Sequence, residues 1–147
     1  MSLKQSAILL VLAGALVAGG YFLFGASDRR ATPEAATEAG GAPMVEIVLP
    51  DALSDRAQSG KRLFDENCVT CHGPNAAGQE ELGPPLVHII YEPGHHGDES
   101  FQRAVALGVR AHHWRFGNMA PVEGLSRDDV ALIVAYIREL QRANGIN

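Results

Sequence analysis

The chain has 147 residues with a formal net charge of −5, and from Val45 onward fourteen acidic residues face nine Lys or Arg. An acidic folded part argues against nucleic acid as a partner, since its binders cluster basic residues, and suits a partner with a basic docking patch, with a merely soluble surface as the equal alternative. Only two cysteines occur, three positions apart as C-x-x-C, so neither a disulfide framework nor a four-thiolate zinc site is available.

The chain opens on an uninterrupted apolar run. No charged residue falls between Ser6 and Ser27, and Ile8 to Phe24 is apolar or Gly throughout, with Lys4 before it and Asp28-Arg29-Arg30 after it. About twenty such residues span a bilayer, whereas a cleaved secretory leader usually has an apolar region of about 7–15 residues. Gly25-Ala26-Ser27 offers only a weak cleavage site, so residues 1–30 are expected to be an uncleaved transmembrane anchor. The charges flanking the run nearly balance and do not set its orientation.

Ala31 to Pro43 is built from Ala, Gly, Pro, Thr and Glu and has no large apolar residue to bury. It reads as a flexible tether, and the linker is bounded at 31–50, with the folded domain over 51–147. About a hundred residues make one small domain, which buries a modest share of its surface and gains from a large apolar cofactor at its centre.

Within that domain Ala57 to Asn67 predicts a helix leading into the cysteines, with Leu63 and Phe64 on one face and Gly60 one turn before Phe64. Ser100 to Leu107 predicts a second, short helix on Phe101, Ala104 and Val105, capped by Asp98 or Ser100 and stopped by Gly108. The clearest helix is the last, where Ser126 with Asp129 forms an N-terminal cap and Val130, Ile133, Val134 and Ile137 recur at helical spacing up to Asn144-Gly145. Tyr136, Arg138 and Gln141 lie beside that stripe. The intervening segments are rich in Gly and Pro and show no strand-like alternation, so the domain is expected to be all-α with long loops.

Between the first two helices lies Cys68-Val69-Thr70-Cys71-His72. In C-x-x-C-H the two thiols add across the vinyl groups of a haem while the adjacent His falls beneath the iron as an axial ligand. A thioredoxin-like reading lacks its βαβ context, and a zinc reading lacks two more ligands at finger-like spacing. One covalent haem c on Cys68 and Cys71, ligated by His72, is therefore the expected cofactor.

The set Gly60-x-x-x-Phe64-x-x-x-Cys68-x-x-Cys71-His72-Gly73, Gly83-Pro84-Pro85-Leu86, Asn118-Met119-Ala120-Pro121 and a last helix carrying Tyr136 resembles the class I monohaem cytochrome c family, of the membrane-anchored bacterial type, over Ala57 to Arg142. The resemblance implies that Tyr136 meets Gly60 and Phe64 where the first and last helices cross. It implies that the Pro84 carbonyl accepts a hydrogen bond from His72 Nδ1, that Met119 is the sixth iron ligand, and that Trp114 donates toward a haem propionate, with simple packing as the alternative for Trp114. A closed His/Met site implies electron transfer rather than enzymatic catalysis. The expected role is to carry electrons between membrane redox complexes, for example a quinol-oxidising complex and a terminal oxidase of a respiratory chain. The haem domain then lies on the periplasmic side of the bacterial inner membrane. The alternative is a haem-bearing, non-catalytic subunit or assembly partner fixed in a larger oxidoreductase.

The sequence departs from the familiar pattern in its acidity, in Val87 to Gly97, and in two histidine pairs, His95-His96 and His112-His113. Imidazole suits copper or zinc, but adjacent histidines usually point apart, so these pairs are expected as surface or propionate-neighbouring residues rather than a second metal site. His112 and His113 are also the rivals of Met119 for the iron.

Overall fold

The computed structural model describes residues 41–147, so the expected anchor of 1–30 and the tether residues 31–40 lie outside the described residues. Among the described residues no helix is long and apolar enough to cross a membrane. The described part is helical without strands: α1 (Asp55–Asn67), α2 (Val69–His72), α3 (Asp98–Leu107) and α4 (Arg127–Ala143) are joined by loops, with short 3₁₀ turns at Pro74–Ala76 and Ile89–Tyr91. Two isolated antiparallel bridges, Gln79 with Gly83 and Val109 with Met119, hold loops closed.

The N-terminus of α1 and the body of α4 share one cap. Ser54 Oγ accepts from Ala57 N at 3.2 Å, which satisfies one of the free N–H groups of the first turn, and also donates to Glu139 Oε1 at 2.6 Å. Further along, α1 and α4 cross at Gly60, where a Cβ would collide with the Leu132 carbonyl group of α4. One turn later the Phe64 and Tyr136 rings meet edge to face, with centroids 5.6 Å apart. Phe64, Tyr136, Ile137 and Leu140 are all buried with Ala57, Leu86 and Ile133 in one apolar cluster.

At α4 the capping box forms as the sequence predicts, Ser126 Oγ accepting from Asp129 N while the Asp129 carboxylate accepts from Ser126 N. The start of α3 differs. Its N-cap is Gly97, with no side chain bonded to the helix N-terminus, and neither Asp98 nor Ser100 caps it. The Asp98 carboxylate instead accepts from Arg138 Nε of α4 at 2.9 Å, a charge-assisted bond to a buried guanidinium that outweighs a local cap. At the other end of α3, Gly108 stops the helix at φ +74°, a conformation side chains avoid, and a Cβ there would lie 2.5 Å from the Met119 carbonyl oxygen.

Within the expected linker of 31–50, the residues from Met44 to Val48 bond to the domain. Met44 N and Val45 N both donate to Ala77 O, and Val48 exchanges two bonds with the Asn144 side chain at the end of α4.

Candidate functional site

The backbone bends at Cys68, whose N–H still donates to Phe64 O, and then turns once through α2. Cys71 N and His72 N both donate to Cys68 O, at 3.2 and 3.0 Å. Three residues of such a turn bring Cys68 and Cys71 to the same side. Neither is in a disulfide, and Cys68 is half-buried and Cys71 exposed. Burial pushes the Cys68 thiol up to about 11, and the neighbouring Cys71 adds to the shift.

His72 is fixed from outside its own turn. Its Nδ1 lies 2.9 Å from Pro84 O. A carbonyl oxygen only accepts, so Nδ1 carries the hydrogen and Nε2 keeps its lone pair. Burial holds this imidazole below its ordinary value, against the opposing pull of the Pro84 carbonyl, so the neutral, ligating form is favoured. Pro84 itself is held by the turn behind it, where Gln79 N donates to Gly83 O and Leu86 N to Ala76 O, both at 2.9 Å.

Met119 is half-buried on the loop between α3 and α4, and its backbone forms both hydrogen bonds of the bridge with Val109, at 2.9 and 3.0 Å. Asn118 Oδ1 accepts from Ala111 N and closes the same loop. Trp114, at the tip, stacks on Phe116 with centroids 5.9 Å apart and meets the edge of His88 at 5.3 Å. Its indole Nε1 is buried. It opposes the upward push that burial gives the Tyr91 phenol, yet it does not reach hydrogen-bond geometry with any partner among the described residues. A buried N–H left this way is rare and fits an acceptor supplied from outside the polypeptide, such as a carboxylate of a bound prosthetic group.

The loop after Pro84 is anchored by residues that sequence reasoning noticed only as neighbours of the α4 stripe. Arg138 Nη1 donates to Tyr91 O at 2.7 Å and Nη2 to His96 O at 2.6 Å, while Gln141 Nε2 donates to Leu86 O and Tyr91 O. Both side chains are buried. Polar residues three apart at the edge of an apolar stripe are the signal that marks such an anchor.

The histidine pairs are a correction to the expectation that they point apart. His95 N and His96 N both donate to Glu92 O, so the chain curls there as in a helix, and successive side chains diverge by about 100° rather than the near-180° of an extended strand. The His95 and His96 rings lie 4.6 Å apart, and the His112 and His113 rings 4.2 Å apart. His113 approaches both His95 and His96 across the two loops.

Residues 57–141 match the protein-family model described as Cytochrome c. The cytochrome bc1 complex cytochrome c subunit of Corynebacterium efficiens is 32% identical over 83 residues, covering 48% of this chain and 28% of that protein. The subunit of the same name from Mycobacterium tuberculosis is 41% identical over 61 residues, covering 37% of this chain and 22% of that protein. The cbb3-type cytochrome c oxidase subunit FixP of a Bradyrhizobium species is 49% identical over 37 residues, covering 25% of this chain and 13% of that protein. The chain thus spans less than a third of the length of each of these relatives. No solved structure matches.

Proposed function

The chain belongs to the cytochrome c family, whose model covers residues 57–141, and from that premise we propose that it transfers single electrons through its haem with His72 and Met119 as axial ligands. The cofactor of the family is a covalently bound c-type haem. When bound, that haem supplies a one-electron couple. Cys68 and Cys71 hold it as thioethers. His72 donates Nδ1–H to Pro84 and offers Nε2 to the iron, a contact that fixes the ring and strengthens it as a ligand. Met119 offers a soft thioether, which favours the reduced state and raises the potential. Trp114 directs its unpartnered N–H to a propionate.

The observation that carries this reading is the Pro84–His72 hydrogen bond beside two cysteines brought together on one turn. With His72 and Met119 both holding the iron, no place would be left for oxygen or peroxide, and the domain would act as a carrier. Residues 1–30 anchor it in the inner membrane, the segment after them gives reach, and the acidic domain works on the periplasmic side. It carries electrons between membrane redox complexes.

A second reading is supported by the names of the relatives, which are subunits of a bc1 complex and of a cbb3 oxidase. In it the domain is a fixed relay inside one oxidoreductase. Purification of the full chain from its membrane in mild detergent separates the two. A carrier migrates without fixed partners and exchanges electrons with separately purified complexes, whereas a fixed subunit co-purifies at constant stoichiometry.

A further inference from the structure

Four of the histidines gather where two loops meet. The first loop follows Pro84 and carries His95 and His96, and the second follows Gly108 and carries His113 beside His112. One nitrogen from each of His95, His96 and His113 lies within 4.8 Å of the other two. A tetrahedral ion with bonds of 2.0–2.1 Å needs its ligand nitrogens about 3.4 Å apart, so rotation of exposed side chains covers the difference.

The middle ligand is already oriented. His96 Nδ1 lies 2.6 Å from Ile90 O, and because a carbonyl only accepts, Nδ1 carries the hydrogen and Nε2 is left with its lone pair. A metal-bound histidine is usually fixed by this contact, its second ring nitrogen donating to a backbone carbonyl. Both loops are held from behind. The His96 carbonyl accepts from buried Arg138, and the second loop is closed by the Val109–Met119 bridge and by Asn118 on Ala111. His95 and His113 are exposed and His96 half-buried, so an ion can enter from solvent.

We propose that His95, His96 and His113 form a second metal site, taking a divalent transition ion of the Zn²⁺ or Cu²⁺ class through three imidazole nitrogens and leaving a fourth position to water. An all-imidazole donor set suits these ions and disfavours Mg²⁺ or Ca²⁺, which take oxygen. An ion bound there ties the loop after Pro84 to the loop that carries Met119.

The test uses the full-length haem-loaded protein in detergent, without a histidine tag, dialysed against Zn²⁺, with zinc counted per haem iron. One Zn²⁺ per iron is expected, saturating at micromolar or lower free zinc. His95→Gln with His113→Gln should weaken binding at least tenfold while leaving the haem absorption spectrum unchanged, since both side chains are exposed. His112→Gln should change the affinity by less than threefold. Absence of saturable binding would overturn the proposal, as would equal binding by the double variant or a His112→Gln loss as large as the double variant's. None of these outcomes touches the haem reading, which is followed in the spectrum of the same samples.

Discussion

At Pro84 a single carbonyl oxygen decides how His72 can act, because it makes Nδ1 the donor and leaves Nε2 with its lone pair. The attachment segment was legible in the sequence because its geometry is local: two thiols and an imidazole within five residues fit one turn. Replacing Cys68 and Cys71 together by Ala should abolish covalent haem, read as loss of haem stain from denatured protein on a gel, and retention of the stain would end the covalent reading. Pro84 and Met119 came from a family resemblance instead, since nothing local links either residue to His72. Trp114 stood between propionate contact and plain packing. Its orphaned Nε1 supports the former, because a purely packed indole would still need a partner for a buried N–H.

Among the elements, the crossing of α1 and α4 carries most of the core. Gly60→Ala gains roughly 1 kcal/mol of helix propensity but drives a Cβ into the Leu132 backbone, which cannot rotate away. Overpacking of this kind costs about 1–3 kcal/mol net, to be read as a lower midpoint of chemical unfolding. Arg138→Met should orphan the His96 carbonyl, at about 1–3 kcal/mol, leave Tyr91 O to Gln141 alone, and speed amide exchange in the loop they anchor. The α4 capping box is pH-dependent. Hydrogen bonds from the Ser126 side chain and backbone hold the Asp129 carboxyl below its usual range, so its contribution is present above the unfolded carboxylate value and lost as pH falls through the lower folded one. Wild type should therefore exceed Asp129→Ala in unfolding midpoint at pH 6, and the gap should close as pH drops below about 4. Periodicity made α1 readable from the sequence, though not its Ser54 cap or its start at Asp55, and periodicity with a cap made α4 readable. The start of α3 and the meeting of the histidine pairs were not, because one depends on Arg138, forty residues away from Asp98, and the other on two loops folding together.

For the whole molecule, an apolar N-terminal sequence precedes an acidic domain. An anchored protein should show an intact mass equal to the full chain plus haem, while a mass for a chain beginning near Asp28 would mean that the leader is removed. The acidic composition suits a partner with a basic patch but does not select one, since complementary charge is shared by many redox proteins.

The central claim is that His72 and Met119 close the iron, and the near-infrared spectrum of the oxidised full-length protein tests it most directly, together with carbon monoxide binding after reduction. The wild type should show the thioether-to-iron band and resist carbon monoxide, and Met119→Ala should lose the band and bind it rapidly. A wild type without the band, or a Met119→Ala variant that stays six-coordinate with an unchanged spectrum, would contradict the account and give the sixth position to a histidine, His112 or His113.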